Sequence, residues 1–209
     1  MKKLNVGSSC THLTGWVNME YDKDYWVKAQ KGAVGWGKPI VGYDATKDMP
    51  DDFGDVCNLH YEDNTFDIVR SGHVMEHIPC KKIHRAINEQ YRVLKPGGWI
   101  RVSVPSFDIL LERYLDQDKY KDFWDKTRND PGLWKDSELK KPLETVDEAL
   151  FGILYLNGEH LNSFTKVTLT KILERAGFVN IQSADKDEEK IPDGTIIDYS
   201  LRLKGMKPL

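Results

Sequence analysis

Short apolar runs that end in small or acidic residues alternate along this chain with stretches of helical periodicity. Leu4-Asn5-Val6 is the first such run, and it ends at Gly7-Ser8-Ser9, the outline of a strand leaving into a turn. Ile40-Val41-Gly42-Tyr43 repeats the outline and ends at Asp44, and Phe66 through Gly72 repeats it again. After that run, Ile83, Ile87, Tyr91 and Leu94 share one helical face, in a pattern that starts near Pro79 and is stopped by Pro96-Gly97-Gly98. Trp99 through Pro105 then reads as a strand, so residues 66–105 predict one βαβ unit.

Further along, Thr165 is the predicted N-cap of a helix with Leu169, Ile172, Leu173 and Ala176 at i, i+3, i+4 and i+7, closed by Gly177. Strands are predicted near Phe178–Ile181 and Ile196–Leu201. Strands alternating with helices imply an α/β fold: a Rossmann-like, doubly wound, mostly parallel sheet with right-handed crossovers and ligands at the carboxyl ends of the strands. The final hairpin-like pair predicts one antiparallel edge strand.

Residues 106–160 break the alternation. Phe107, Leu110, Leu111 and Tyr114 make one amphipathic stripe, and Thr145 with Glu148 forms a capping-box pattern ahead of Val146, Ala149, Leu150, Ile153 and Leu154. Between them lies an aromatic, charged stretch with Tyr120, Phe123, Trp124 and Trp134. The expectation is a single domain over 1–209 in which 106–160 is an inserted helical subdomain. An insertion after a central strand projects over the ligand-binding edge, so it is read as a substrate lid rather than as packing alone.

Composition narrows the partners. A formal net charge of −3 gives no overall basic field to recruit nucleic acid. Met1 through Val6 is too short for a signal peptide, and no run approaches the ~20 apolar residues that span a bilayer, so a cytoplasmic protein without a membrane partner is expected. Cys10, Cys57 and Cys80 contain no C-x-x-C pair, which argues against a disulfide framework or a cysteine zinc site; half-buried reduced thiols are expected. Nothing in the sequence sets an oligomeric state.

The segment Asp55 through Val69, continuing as Ser71-Gly72-His73-Val74-Met75-Glu76-His77-Ile78, resembles the central signature of class I S-adenosylmethionine-dependent methyltransferases acting on small molecules. That signature reads roughly D-x-x-x-L-P-F-x-D-x-S-F-D-x-V, a small residue, then x-H-V-L-E-H. Tyr91-Arg92-Val93-Leu94-Lys95-Pro96-Gly97-Gly98 looks like the family's helix exit, and Phe164 through Phe178 like its last helix and turn. The resemblance covers most of the chain outside the insertion, and the joint order of the segments is more specific than any one of them. The chemistry of the implied cofactor, S-adenosyl-L-methionine, agrees: it has a ribose diol, an adenine edge, an amino-acid tail and a sulfonium but no phosphate, so it has no need of a G-x-G-x-x-G loop.

The resemblance implies site residues. Asn5, Gly7 and Ser8 at the first strand end would bind the amino-acid tail, although the second glycine common in the family is Ser9 here. Asp44 resembles the acid that accepts from the ribose hydroxyls. Its rival is Glu20, because Thr14 through Glu20 looks like a second strand of a subgroup with G-W-x-N-x-D; Asp44 is the preferred assignment. Asp55 would accept from the adenine amino group, the Val56 amide would donate to a ring nitrogen, and Ser71 and Gly72 would line the cofactor beside its methyl.

Methyl transfer is an in-line displacement in which the protein aligns the nucleophile and a base can assist a hydroxyl acceptor. His73, His77 and His160 are the candidate catalytic residues. The acceptor expected is a small polar molecule methylated on oxygen or nitrogen; the aromatic insertion suggests a sugar or glycan precursor. Two rivals are a binding module without catalysis and a zinc hydrolase, since His73-Val74-Met75-Glu76-His77 matches H-x-x-E-H. The zinc motif needs a continuous helix, and Ile78-Pro79 argues against one, so no resident metal is expected.

Overall fold

The computed structural model describes residues 1–8, 12–24, 27, 49–127, 150, 153–155, 158–184 and 199–209. Its centre is a seven-stranded sheet. The strands are β1 (Lys3–Val6), β2 (Val17–Glu20), β3 (Asp52–Phe53), β4 (Phe66–Gly72), β5 (Leu94–Pro105), β6 (Val179–Ser183) and β7 (Ser200–Met206), in the spatial order β3-β2-β1-β4-β5-β7-β6. The ladder from β3 to β5 is parallel throughout. The reversed strand is β7, which runs antiparallel to both β5 and the edge strand β6 and so lies one position in from the edge.

Alternation along the strands decides what covers the sheet. Leu4 stands opposite Val17 and Val69, and Val6 opposite Met19 and Ser71. These apolar side chains share one core with Ala86 and Ile87 of helix α1 (Ile83–Val93) and Leu169 and Leu173 of helix α4 (Lys166–Arg175). Leu4, Phe66, Val69, Leu94 and Ile100 are fully buried, each stabilising the fold by roughly 1.5–3 kcal/mol relative to exposure. Residues of the other parity are polar: Asn5 faces Asn18 and Arg70, and Arg70 faces Arg101.

Local signals place the helices. The Thr165 hydroxyl accepts from the Thr168 amide at 3.1 Å, the expected N-cap of α4, worth about 1 kcal/mol. Gly177, at φ +98°, follows α4 in the left-handed conformation that ends helices. Helix α1 stops at Val93, so Leu94, expected on its apolar face, instead begins β5 opposite Phe66.

In the insertion, helix α2 (Phe107–Leu115), capped by Ser106, and helix α3 (Gln117–Thr127) lead away from β5. Leu110, Ile153 and Leu154 form a second buried cluster, with Tyr114, Tyr120, Trp124 and Tyr199 packed against it. The capping-box pair Thr145 and Glu148, and Trp134, lie outside the described residues. Among the described residues no helix is long and apolar enough to cross a membrane. Of the thiols expected to be half-buried, Cys57 is buried and Cys80 exposed, both free, and Cys10 lies outside the described residues.

One expectation shifts. The strand beside β1 is Val17–Glu20, whereas Ile40–Asp44 lies outside the described residues. The last described strand is Ser200–Met206, whose pairing with β5 follows the alternation of Leu201, Leu203 and Gly205, while residues 196–198 lie outside the described residues.

Candidate active site

Parallel strands present their carboxyl ends together, so β1 to β5 bring Gly7 and Ser8, Glu20, Gly54 and Asp55, Ser71 to His73, and Ser106 to one edge. Gly7 leaves β1 at φ +62°, and a Cβ placed on it would stand 2.4 Å from Val74 Cγ2. Both the backbone and the neighbour therefore require glycine there. The Ser8 amide donates to Met19 O at 3.0 Å, holding the turn against β2.

Two hydroxyls on this edge have nothing to bond to among the described residues. Ser8 is 2% exposed and Ser71 0%, and neither Oγ has a hydrogen-bond partner. Buried hydroxyls normally find partners, so a pair left open at adjacent strand ends fits a polar ligand seated there. Glu20, half-buried at the end of β2, accepts from the Tyr21 amide at 2.7 Å, and its carbonyl accepts from Gly54 N at 2.8 Å. Asp55 heads the turn after β3, where its Oδ1 accepts from the Cys57 amide at 2.8 Å and its carbonyl from Asn58 N at 2.9 Å. That turn fixes the carboxylate's direction and carries Val56 with it. The set suits a phosphate-free nucleoside: acceptors for a diol and an amine and a glycine for close approach, with no cationic cradle among the described residues.

Past β4 the chain tightens. His73 has φ +54°, and Met75–His77 is a single 3-10 turn ended by Ile78 in extended conformation, so the long helix that the H-x-x-E-H reading requires does not form. Glu76 is fully buried, yet neither carboxylate oxygen has a hydrogen bond among the described residues. His73 Nδ1 stands 3.0 Å from Oε1, within ion-pair reach but outside hydrogen-bond alignment. His160 arrives from the far end of the insertion and meets His77 edge-on, ring centroids 4.8 Å apart. His77 Nδ1 lies 3.1 Å from Glu159 O, and His160 Nδ1 2.8 Å from Ile153 O. Burial pushes the His160 imidazole below its ordinary range, against the opposite pull of the Glu76 carboxylate.

Thus the structure brings His77 and His160 together around Glu76, with His73 at its rim, while Asp44 lies outside the described residues. Two assigned residues also have structural duties that the sequence did not reveal. Asn5 Oδ1 accepts from Arg70 Nη1 at 2.8 Å, and its Nδ2 donates to Asn18 Oδ1 at 3.1 Å. Asn18 Nδ2 in turn donates to Asp51 Oδ2 at 3.0 Å, so a buried polar row crosses β4, β1, β2 and the approach to β3. Gly72 is confined by the same row, since a Cβ there would meet Arg70 Nη2 at 2.3 Å. The available signal was a polar residue in the middle of each apolar run: Leu4-Asn5-Val6, Val17-Asn18-Met19 and Val69-Arg70-Ser71.

Comparison with known proteins agrees with this geometry. The family described as "Methyltransferase domain" matches residues 16–183, most of the chain. A demethylmenaquinone methyltransferase of Staphylococcus haemolyticus is 38% identical over 80 residues, 35% of this chain and 33% of that protein. Its Staphylococcus aureus counterpart is 26% identical over 155 residues, 58% of this chain and 62% of that protein. The matches thus span less than two thirds of these relatives' own length. Among solved structures, a SAM-dependent methyltransferase from Methanosarcina mazei superimposes with a TM-score of 0.55 at 14% identity, covering 100% of this chain and 92% of that one, which is a likeness of fold. With the strand order, the glycine turn and the family match on one chain, the protein belongs to the class I S-adenosylmethionine-dependent methyltransferase family.

Proposed function

We propose that the chain transfers the methyl group of S-adenosylmethionine to an oxygen or nitrogen of a small polar acceptor, beneath a lid formed by residues 106–160. The observation that carries this reading is the pair of buried, unbonded hydroxyls, Ser8 and Ser71, at the edge where Gly7, Glu20 and Asp55 converge. Gly7 and Ser8 take the amino-acid tail, with Asn5 beneath them holding the strand end through Arg70. Asp55 and the Val56 amide read the adenine edge. Glu20 takes the ribose diol, a role favoured over Asp44 because the strand adjoining β1 ends in Glu20. Ser71 and Gly72 border the methyl. Once bound, the sulfonium supplies an activated methyl carbon.

The chain's own residues do the remainder. The lid cluster around Leu110 and Ile153 shields the edge from water, and His73, His77 and His160 face the acceptor from beyond β4. These residues would hold the acceptor's lone pair in line with the methyl carbon that bound S-adenosylmethionine would supply, and the acceptor's proton would leave to solvent past this polar cluster. A sugar or glycan-precursor hydroxyl suits the aromatic lid. The relatives' names raise a quinone precursor as a second reading, and the same aromatic residues, Tyr114, Tyr120 and Trp124, would pack on either ring.

The test is turnover with both acceptor classes. Purified protein incubated with S-adenosylmethionine and panels of sugar nucleotides, small alcohols and amines, and demethylmenaquinone should release S-adenosylhomocysteine with a polar acceptor. Release with demethylmenaquinone alone would transfer the assignment to the quinone. Tight cofactor binding with no release in any panel would leave a binding module instead.

A further inference from the structure

We infer that Glu76, His77 and His160 form a binding site for one divalent transition-metal ion beside the methyl-transfer site. One ligand atom from each lies within 4.8 Å of the other two. Three donors held about 2.0–2.2 Å from one ion stand at most about 3.8 Å from one another, so binding asks these side chains to close by about 1 Å. The donor set, two imidazoles and a carboxylate, is one that zinc and its first-row neighbours favour.

Three features distinguish this cluster from a chance meeting of polar residues. The first is Glu76 itself, fully buried with no hydrogen bond to either oxygen among the described residues. A buried carboxylate is costly unless a cation or a set of donors faces it. His73 can offer a charge only when protonated, and then only to Oε1. The second is the orientation of the imidazoles. His77 and His160 each turn Nδ1 to a backbone carbonyl, of Glu159 and Ile153, which selects the tautomer whose Nε2 carries a free lone pair. The third is how the two segments are tied. Leu161 N and Asn162 N donate to Glu76 O at 2.7 and 3.2 Å, and Asn162 Nδ2 donates to Ile78 O. The backbone therefore joins His160 to the turn that bears Glu76 and His77 without relying on the ion.

The site differs from the H-x-x-E-H motif visible in the sequence. That motif would use His73 and His77 one helical turn apart, whereas here the second imidazole comes from residue 160, across the insertion, and His73 stands at the rim with its Nε2 2.9 Å from Ser200 Oγ. The ion's role rests on the methyl-transfer reading. Bound to the acceptor oxygen, it would lower the hydroxyl's pKa, so that the proton leaves to solvent before or as the oxygen takes the methyl carbon. Binding of the ion does not rest on that reading.

The experiment uses the full chain, stripped with a chelator and dialysed. Calorimetric titrations with Zn2+ and, separately, Mn2+ should show one equivalent bound for at least one of them, and Co2+ should give visible absorption from imidazole ligation. His77→Ala and His160→Ala should each weaken binding at least tenfold. Both variants should still bind S-adenosylhomocysteine as the parent does, which shows that they are folded. Absence of stoichiometric heat and of cobalt absorption in the unaltered chain overturns the inference without any variant, as does unchanged metal affinity in both variants. S-adenosylhomocysteine titrated into the stripped chain separates the two readings: if it binds while metal does not, the metal site fails and the methyl-transfer reading stands; if metal binds and the nucleoside does not, the reverse holds.

Discussion

The Arg70 guanidinium donates to the Asn5 amide oxygen at 2.8 Å in the buried middle of the sheet, and a Cβ placed on Gly72 would stand 2.3 Å from that guanidinium, so a side chain there would have to displace it. Two residues that the family signature assigns to the cofactor thus also carry the arginine that braces β1 against β4. Asn5→Ala breaks the row between Arg70 and Asn18, and buried groups that lose a partner cost about 1–3 kcal/mol each. Denaturant unfolding should show a loss of that size, while calorimetry should find S-adenosylhomocysteine affinity within about threefold of the parent, less than 1 kcal/mol. A large loss of affinity with stability intact would make Asn5 a direct cofactor contact.

Gly7→Ala meets two obstacles, a left-handed backbone worth about 1–2 kcal/mol and a methyl 2.4 Å from Val74 Cγ2. Val74→Ala removes the second only, leaving Val74 Cβ as the nearest contact of that side chain at an ordinary 3.6 Å. A double-mutant cycle on unfolding free energy should therefore give a favourable coupling of about 0.5–3 kcal/mol. Strict additivity would show that the turn moves away from Val74 in the variant.

Glu89 ties the loop after β3 to α1. Its Oε2 accepts from Leu59 N and from Arg92 Nη2, each at 2.8 Å, and Arg92 also donates to Leu59 O and Tyr61 O at 2.7 and 2.8 Å. Hydrogen bonding from Arg92 outweighs burial and holds the Glu89 carboxyl below its ordinary range. Because the folded carboxylate resists protonation more than the unfolded one, its contribution is complete above the ordinary glutamate range and disappears as pH falls through the folded value. Glu89→Gln should cost about 1.5–3 kcal/mol at neutral pH, and the gap between variant and parent should close on acidification. A gap independent of pH, measured by urea unfolding across the acid range, would contradict this.

Leu110 is buried in the insertion's own cluster, apart from the main core. Leu110→Ala should loosen that cluster and lower turnover while leaving S-adenosylhomocysteine affinity within about twofold, since local stability is not shared across separate clusters. Equal loss of affinity and turnover would show that the insertion braces the cofactor edge rather than covering the acceptor.

What could be read from the chain was what local chemistry decides. β4 occupies Phe66–Gly72 as its run predicts, and Thr165 caps its helix through a hydroxyl three residues from the amide it satisfies. Neighbours decided the rest. Ile40–Asp44 and Val17–Glu20 both read as short strands ending in an acid, with Asp44 preferred from the sequence; Val17–Glu20 pairs with β1, and Ile40–Asp44 lies outside the described residues. The apolar run 196–201 predicts a strand there; of it only Ser200 and Leu201 fall in β7, which continues to Met206 with alternate positions buried, and 196–198 lie outside the described residues. The place of Arg70 inside an apolar run hinted at its burial, but the partner that compensates it, Asn5, lies on another strand and could not be read from spacing. His160 is brought to Glu76 and His77 by the return of the insertion, and no spacing rule spans that distance.

The cofactor site is tested by a calorimetric titration of the unaltered chain, Glu20→Ala and Asp44→Ala with S-adenosylhomocysteine. The parent should bind one equivalent, and Glu20→Ala should lose about 1.5–3 kcal/mol, roughly tenfold to more than a hundredfold in Kd, with Asp44→Ala close to the parent. No heat from the parent would contradict the cofactor site itself, and a loss confined to Asp44→Ala would contradict the assignment of the ribose to the end of β2.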